Sequence, residues 1–249
     1  MHTTFALKPS FSLVIAESAL ETIPKEITRH PSVKNYAERL GKNPSELLLD
    51  RSYHHSAMIR YKLNAGWKRG RPDIVHFALM EALFTPLFFN EMLNVYVHTN
   101  NDKVILIAKN VRIPKSYFRF EGLMMKLFRE KVIIKKSNNG NNINDKNKNL
   151  LELYDNTTFE DLIKNIVRPD KLIGLSSMGI ESTVENVVSK NINNNNHLAF
   201  VIGGFPRGHF SDDTSKLFDS SYSIAKVGLE AHVVIARLLY ECERSLFIQ

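Results

Sequence analysis

The stretch FEDLIKNIVRPDKLIGLSSMGIESTVENVVSKNINNNNHLAFVIGG, residues 159–204, indicates the class of fold. Residues 159–167 and 182–189 read as helices, whereas 172–177 and 197–204 are short apolar runs that end in small residues. Helices that alternate with such runs predict a largely parallel α/β sheet. In sheets of this kind the crossovers are right-handed, and ligands bind beyond the carboxyl ends of the strands.

The rest of the chain is read by the same rules. FSLVIAES (11–18) is predicted to be a buried strand, and LNVYVHT (93–99) with KVILIAKN (103–110) is predicted to form a hairpin around residues 100–102. The remaining predicted elements are a helical stretch opened by Pro24 and ending near Gly41, a short strand LLLD (47–50), and helices at 54–64, from Pro72 to Thr85-Pro86, from Pro114, and from about Val227 to Glu243.

The composition limits the class of protein. The chain has 249 residues, enough for one large domain or two small ones, and a formal net charge of +7 with a pI near 9.4. This charge favours an acidic partner, most commonly nucleic acid, and leaves a merely basic enzyme as the alternative. The single cysteine, Cys242, excludes an intramolecular disulfide and a cysteine cluster for zinc. No apolar run approaches the roughly 18 residues of a membrane span, which predicts a cytoplasmic protein with no membrane partner.

Two tracts rich in asparagine interrupt this pattern. Residues 137–149 and 191–196 are polar and of low complexity. Because such tracts cannot bury apolar area, we expect them to be solvated loops.

Three C-terminal segments belong together, and the first two end predicted strands with small residues. The three segments are GLSSMG (174–179), IGGFPRG (202–208) and YSIAKVGLEAHV (222–233). Small residues allow a ligand to approach the main chain closely, which suits a nucleotide-like cofactor. Neither glycine segment is GxGxxG in a first βα turn, so a Rossmann dinucleotide site is disfavoured. The alternative is that the glycines serve tight turns only.

The segment RGRPDIVHFALMEALFTP (69–86) begins with an electrostatic oddity. Lys68, Arg69 and Arg71 crowd the start of an apolar helix. The positive end of a helix dipole disfavours cations at that position. The crowding therefore predicts that a negatively charged group binds at this helix start.

Four motifs, taken together, carry a resemblance to a known family. LLLDRSYHHSAM (47–58), RGRPDIVHFALMEAL (69–83), VRIPKSYFRFEGLM (111–124) and IGGFPRGHF (202–210) occur in this order. They resemble the archaeal form of the small-subunit ribosomal RNA pseudouridine N1-methyltransferases of the SPOUT superfamily. The match extends from the first strand to the last helix and is interrupted mainly by the two asparagine-rich tracts.

The resemblance implies a fold and a function. The fold is a mostly parallel α/β sheet flanked by helices, with a C-terminal trefoil knot, in one domain over residues 1–249 that carries an inserted hairpin around 92–110. The family binds S-adenosyl-L-methionine in the knotted region, works as a homodimer, and methylates N1 of one pseudouridine in a hairpin loop of small-subunit rRNA. It also serves ribosome assembly, which adds small-subunit ribosomal proteins as possible partners.

The resemblance also assigns residues to sites. Arg71 and Asp73 are expected at the catalytic centre, and Arg71, Arg112, Lys115 and Arg119 are expected to contact RNA. The family more often has arginine at the position of Lys115 and proline at that of Gly228. The residues expected to line the cofactor pocket are Ser176, Ser177, Gly203, Gly204, Phe205, Gly208, Ile224, Ala225, Lys226, Val227, Gly228 and Leu229.

Methylation of N1 makes modest demands on the protein. The enzyme must flip the base, stabilise developing negative charge, and align nitrogen, methyl and sulfur, and no metal is required. Asp73 either complements the helix dipole and pairs with Arg71, or orients Arg71 or the flipped base, or assists removal of the N1 proton. His54 and His55 are adjacent and would not face the same way on a helix, so packing or hydrogen bonding is preferred to metal ligation.

Further expectations concern aromatic and basic side chains before and within the helix that follows Pro114. Lys115 and Arg119 lie four residues apart, which predicts that they share one helical face. Tyr117 is a candidate for stacking on unpaired bases, whereas Phe120 is predicted to be core.

The last helix is expected to lie near the dimer interface, with Val234, Leu238 and Leu239 on its apolar side. The alternative function is that of a nonenzymatic rRNA-binding assembly factor that retains the fold.

Overall fold

The structure is a computed structural model that describes residues 10–135, 149–192 and 195–248. Both predicted loops fall partly outside these ranges, since residues 136–148 and 193–194 are not among the described residues. The described flanks belong to regular elements: Asn149 begins a strand, and Asn191 and Ile192 end a helix. The predicted loop boundaries at 149 and 191 are therefore too wide.

The described residues contain one eight-stranded sheet. Its strand order is β4-β5-β3-β2-β1-β7-β6-β8. The strands are β1 (Ser10–Ser18), β2 (Leu93–Thr99), β3 (Val104–Ile107), β4 (Val132–Ile134), β5 (Asn149–Tyr154), β6 (Lys171–Glu181), β7 (His197–Gly203) and β8 (Ser220–Ser223).

Five neighbouring strands of this sheet are parallel, which confirms the predicted fold class. β1 pairs in parallel with β2 on one side and with β7 on the other, and β6 pairs in parallel with β7 and β8. The predicted hairpin is also present, because β2 and β3 are antiparallel with Tyr96 opposite Leu106. Since β2 lies directly beside the central strand β1, this hairpin is part of the main sheet. The trefoil knot stays a prediction.

Helices flank the sheet. They are α1 (Pro31–Leu40), α2 (Arg51–Arg60), α3 (Pro72–Ala82), α4 (Pro86–Phe89), α5 (Tyr117–Glu130), α6 (Phe159–Asp161, continued by a π-helical turn at Leu162–Val167), α7 (Val184–Ile192), α8 (Asp212–Ser215) and α9 (Ala231–Ser245). The predicted end of α1 is confirmed, because Gly41 adopts a left-handed conformation with φ of 60° and its N–H binds the carbonyl groups of the last helical turn.

Three predicted helix starts lie too early in the chain. Pro24 precedes only a short 3₁₀ turn, and the first helix begins at Pro31. The helix predicted from Pro114 begins at Tyr117, and the one predicted from Val227 begins at Ala231. A proline or an apolar run permits a helix to start nearby. The residue at which the first turn begins also depends on tertiary contacts, which these sequence patterns do not specify.

The predicted strand LLLD (47–50) is wrong. Leu47, Leu48 and Leu49 are fully buried, but Leu48 makes only an isolated bridge to Thr22. A short apolar run signals burial without specifying a strand partner.

Side chains from β1 alternate between two apolar cores. Phe11, Leu13 and Ile15 pack in the larger core, whereas Val14 and Ala16 belong to a second core with residues of the π-helical turn. Both faces of β1 are therefore buried, which explains its continuous apolar sequence. Among the described helices, none has the length and apolar character needed to span a bilayer.

Candidate functional site

The main candidate site is a cleft of about 380 Å³ at the carboxyl ends of β6, β7 and β8. Leu175 to Ser177 of β6, Ile202 and Gly203 of β7, and Tyr222 and Ser223 of β8 all contribute to its wall. These strands are parallel neighbours, so their carboxyl ends meet at one edge of the sheet. This is the position at which open α/β sheets bind ligands.

Most of the predicted cofactor residues are brought together in this cleft. Gly204 and Lys226 are the two exceptions, since neither lines it. The predicted residues that do line the cleft are Ser176, Ser177, Gly203, Phe205, Gly208, Ile224, Ala225, Val227, Gly228 and Leu229.

Gly204 is required for packing against β1 instead. Its N–H donates to the carbonyl of Ala16, and its own carbonyl accepts from the N–H of Ala19. A Cβ at Gly204 would lie 2.3 Å from Oγ of Ser18 and 2.9 Å from a methyl carbon of Ile15. Glycine therefore allows the chain leaving β7 to contact the end of β1 directly.

Gly208 has the backbone conformation that glycine best tolerates. Its φ is +93°, and an added Cβ would lie 3.4 Å from Cε of Lys68 and 3.5 Å from Nε1 of Trp67. The segment from Phe205 to Phe210 lines the cleft. The left-handed turn at Gly208 therefore lets the segment Phe205–Phe210 line the cleft on one side and approach Trp67 and Lys68, which precede α3, on the other.

Several lining residues were missed by sequence reasoning. Pro206, Arg207, His209 and Phe210 lie within the motif IGGFPRGHF, so their only signal was their place in that motif, and the others come from the first turns of helices. The latter residues are Ile74 of α3 and Ala231 and Val234 of α9, together with Glu230, which precedes α9.

Arg71 is one of two arginines that line the cleft, the other being Arg207. It is the N-terminal cap residue of α3, and Asp73 lies in the first turn of that helix. The two side chains form an ion pair, with 39% and 28% of their surfaces exposed. The hydrogen bond with Asp73 raises the pKa of Arg71, so the guanidinium stays charged beside the cleft. The predicted pairing of Asp73 with Arg71 is confirmed.

The other two crowded cations have partners inside the chain, which corrects the expectation that all three await an anion. Nζ of Lys68 lies 2.6 Å from Oε2 of Glu17. Arg69 forms a fork with Glu21, with Nε to Oε1 at 2.8 Å and Nη2 to Oε2 at 2.6 Å. Both carboxylates come from the end of β1 and the residues just after it, so the tertiary structure pairs these two charges with distant residues, whereas Arg71 pairs with Asp73 of its own helix.

The predicted RNA-binding residues beyond Arg71 lie before and at the start of α5. Arg112, Lys115 and Arg119 are all exposed. Lys115 and Arg119 do not share a helical face, because Lys115 precedes the helix and its ammonium lies 5.7 Å from the centroid of the Phe84 ring. Ion pairs within α5 involve Lys126 and Arg129 instead.

A buried histidine connects this basic segment to α3. His76 is 3% exposed, and its Nε2 lies 2.8 Å from the carbonyl oxygen of Pro114. Its ring stacks on Phe120, with ring centroids 4.5 Å apart. The helix that begins beside Arg71 is therefore joined directly to the segment that carries Arg112 and Lys115.

Tyr117 is not free for base stacking. Its hydroxyl donates to Oδ2 of Asp50 at 2.7 Å, and its ring packs against the core. Phe120 is fully buried, which confirms its predicted core position. Burial and the nearby Asp50 carboxylate raise the pKa of Tyr117, so the phenol remains a donor.

His54 is a packed residue, as predicted. It is fully buried in α2, and its Nδ1 accepts a hydrogen bond from the N–H of Asp50 at 3.0 Å. Burial lowers its pKa to about 4, so it is neutral near pH 7. His55 is exposed. Among the described residues, no group of at least three histidine, cysteine or acidic side chains is placed to hold a metal ion.

The apolar side of α9 faces the interior of the chain. Leu238 and Leu239 are 0% and 1% exposed and belong to the larger core, against which Val234 also packs. Leu238 and Leu239 are therefore covered within one chain, and the expectation that the last helix lies near a dimer interface stays a prediction. Tyr240 of the same helix is 62% exposed.

Comparison with known proteins places this site in a family. The model of the EMG1/NEP1 methyltransferase family matches residues 13–243. The chain belongs to this family. The match includes β1, α3, the segment before α5 and the whole cleft.

Curated relatives of the EMG1/NEP1 methyltransferase family agree along nearly the whole chain. The ribosomal RNA small subunit methyltransferase Nep1 of Thermococcus sibiricus is 39% identical over 94% of this chain and 98% of its own length. The protein of the same name from Saccharolobus solfataricus is 36% identical over 94% of this chain and 97% of its own length.

A solved structure supports the same assignment. Archaeoglobus fulgidus Nep1 bound to S-adenosylhomocysteine has a TM-score of 0.77 and 32% sequence identity with this chain, and the match covers 96% of this chain and 99% of that one. The EMG1/NEP1 fold therefore extends over both the cleft and the basic segment before α5.

Proposed function

We propose that this protein transfers a methyl group from S-adenosyl-L-methionine to N1 of a pseudouridine in a hairpin loop of small-subunit ribosomal RNA, in the course of small-subunit biogenesis. The observation that carries the proposal is the position of Arg71, which lines the cleft and begins the helix joined to the basic segment before α5. Cofactor and RNA would therefore meet at this residue.

The cleft fits the proposed cofactor. Its volume of about 380 Å³ lies within the range of small-molecule sites. Its wall combines apolar side chains such as Ile74 and Ile202 with the serine hydroxyls of β6, the turn at Gly208 and the carboxylate of Glu230. An adenosine group with an amino-acid tail requires this mixture of apolar surface and main-chain or side-chain polar groups. S-adenosylhomocysteine in the related Nep1 structure supports the same cofactor class.

The bound sulfonium would supply an electrophilic methyl carbon, to which N1 forms a bond as the carbon–sulfur bond breaks. Arg71 would stabilise the negative charge that develops on the base when the N1 proton leaves. Asp73, which does not line the cleft but is bound to Arg71 at its edge, would hold the guanidinium in place and would accept the N1 proton from a base bound against Arg71, since a carboxylate that binds one guanidinium still has free lone pairs. Closely held reacting groups would account for much of the rate, because uracil attached through carbon needs little further activation.

The RNA would bind across the exposed residues Arg112, Lys115 and Arg119. Their charges are not neutralised by the ion pairs of α5, which use other side chains. The excess of basic residues in the chain favours a polyanion in the same way. Phosphate contacts would fix the position of the hairpin, and the flipped base would enter the cleft beside Arg71.

The experiment that tests this function is methyl transfer to two hairpins that differ at one position, pseudouridine in one and uridine in the other. Methylation of the pseudouridine hairpin alone is the expected result. RNA and cofactor binding without methylation of either hairpin would favour the nonenzymatic assembly factor, an alternative that the glycine at position 228 leaves open. Methylation of both hairpins would contradict the N1 assignment.

The proposal includes partners and organisation. We assign residues 1–249 to one methyltransferase domain that forms a homodimer in the cytoplasm and meets small-subunit ribosomal proteins during assembly. The interface would not use Leu238 or Leu239, because both are buried within one chain. Light scattering at micromolar concentration should give about twice the chain mass of 28.5 kDa. A mass of one chain would contradict the dimer.

A further inference from the structure

The segment Phe205–Phe210, which lines the cleft, is fixed to the end of β1 at both of its ends. On one side, Gly204 exchanges main-chain hydrogen bonds with Ala16 and Ala19. On the other side, the N–H and Oγ of Ser211 both donate to Oε1 of Glu17, at 2.7 and 2.8 Å. The shape of the cleft wall therefore depends on where the Glu17 side chain is held.

Lys68 holds that carboxylate from the opposite side. Its ammonium donates to Oε2 of Glu17 at 2.6 Å, while Ser211 uses Oε1. Only 16% of the Lys68 side chain and 10% of the Glu17 side chain are exposed. A carboxylate in this position needs donors on both oxygens, since burial without partners is costly.

The ionisation and the backbone conformation of Glu17 both agree with this arrangement. Burial opposes ionisation, but the hydrogen bonds from Lys68 and Ser211 outweigh it, so the pKa of Glu17 is lowered. Glu17 also has a φ of 50°, a left-handed conformation that is uncommon for a residue other than glycine. Backbone strain of this kind persists only where the surrounding contacts require it.

Lys68 also contacts the cleft segment directly. Its ammonium lies 4.4 Å from the centroid of the Phe205 ring, within the range of a cation–π interaction. A Cβ on Gly208 would lie 3.4 Å from Cε of Lys68. The lysine therefore supports Phe205 and Gly208, which both line the cleft.

We propose that Glu17 and Lys68 are positioning residues that hold Phe205–Phe210 in its cofactor-binding shape. The inference deepens the proposed function and rests on it. Neither residue lines the cleft, so neither is expected to touch the cofactor or the reacting atoms. Their effect would be on cofactor affinity, with little effect on the RNA or on the chemical step.

The test compares Lys68→Met, which keeps the length of the side chain and removes its charge, with Glu17→Gln and with the double variant. Lys68→Arg is the conservative variant, because it keeps a positive charge that can pair with Glu17 and lie over the Phe205 ring. Lys164→Met is the matched control, since Lys164 forms an exposed ion pair with Glu160. Calorimetry with S-adenosylhomocysteine gives cofactor affinity, methyl-transfer kinetics give KM for each substrate, and thermal unfolding shows that each variant is folded.

We expect Lys68→Met and Glu17→Gln each to weaken S-adenosylhomocysteine binding by about tenfold, within the range usual for coupled groups. The double variant should bind S-adenosylhomocysteine about as tightly as the weaker-binding single variant, because both changes remove the same interaction between Lys68 and Glu17. KM for S-adenosylmethionine should rise with little change in kcat or in KM for the hairpin. Lys68→Arg should recover most of the affinity, and Lys164→Met should match the unmodified protein.

Folded Lys68→Met and Glu17→Gln variants that bind S-adenosylhomocysteine like the unmodified protein would overturn the positioning role while leaving the proposed function intact. An equal rise in KM for both substrates would also overturn it, because that result indicates general disruption. If Lys68→Met does not fold, Glu17→Gln decides the question, since the amide still accepts from Ser211. Failure of the unmodified chain to bind S-adenosylhomocysteine would overturn the proposed function and this inference together.

Discussion

Arg71 and Asp73 form a forked ion pair at the start of α3, with Nε of the arginine 2.8 Å from Oδ1 and Nη2 2.7 Å from Oδ2 of the aspartate. A planar guanidinium bound at two points by a carboxylate is held in one orientation. Because Arg71 lines the cleft, Asp73 fixes the direction in which that charge faces the cleft.

Asp73→Asn should reduce methyl transfer more than RNA affinity. The amide keeps only one acceptor oxygen, loses the negative charge and is a poor proton acceptor, so kcat should fall by about 10²-fold, the low end of the usual contribution of a general base. RNA affinity and S-adenosylhomocysteine affinity should change little. Single-turnover methyl transfer and RNA binding are the measurements.

The matched control for Asp73 is Asp213→Asn, which removes an exposed carboxylate paired with Lys216. It should leave methyl transfer unchanged. Equal losses in Asp73→Asn and Asp213→Asn would show that Asp73 has no specific role.

Arg112→Ala and Arg119→Ala should each weaken RNA binding. The loss should be about the same for hairpins of different nucleotide sequence. Each removes one phosphate contact, so the slope of log affinity against log salt should become shallower by about one unit. S-adenosylhomocysteine affinity should not change. Arg129→Ala, at the other end of α5 and paired with Glu130, is the control and should retain the full slope. Wild-type binding by both test variants at every salt concentration would place the RNA elsewhere.

Gly203→Val should impair cofactor binding while the protein remains folded. A Cβ at Gly203 would lie 2.8 Å from two ring carbons of Phe205. The ring must then move within the cleft that it lines, and S-adenosylhomocysteine affinity should fall at least about tenfold, which corresponds to 1.4 kcal/mol. Gly122→Val is the control, because nothing lies within 4 Å of its added Cβ. Unchanged affinity in Gly203→Val would contradict this placement of the cofactor.

His54 should make the stability of the protein depend on pH below neutrality. Its pKa is about 4 in the folded chain, against an ordinary value of 6.5. Between these values the unfolded chain binds a proton that the folded chain excludes, so the free energy of unfolding should fall as the pH decreases from 6.5 to 4. The slope from this residue should be at most about 1.4 kcal/mol per pH unit.

Urea unfolding at pH 5 and pH 7 measures this dependence. His54→Asn should be less stable at pH 7 but less sensitive to pH, while His55→Asn, at an exposed position, should keep the original dependence. The same pH sensitivity in the original protein and in His54→Asn would show that other groups are responsible.

Local patterns in the sequence determined the elements that carry the site. Continuous apolar runs predicted β1, β6 and β7, and Gly41 marked the end of α1, because burial of both sheet faces and helix capping act over a few neighbouring residues. The order of these elements then predicted parallel strands whose carboxyl ends meet at one edge. The three C-terminal motifs at 174–179, 202–210 and 222–233 supplied most residues of the cleft.

Only the tertiary structure decided which charges are available at that edge. The sequence places Lys68, Arg69 and Arg71 side by side, but Lys68 pairs with Glu17 and Arg69 pairs with Glu21, 51 and 48 residues away along the chain. The same applies to Leu238 and Leu239, which the core covers, and to Gly204, which packs on β1. Such pairings depend on how distant segments meet in the fold, and a local pattern of charge or hydrophobicity contains no information about which distant group will be its partner.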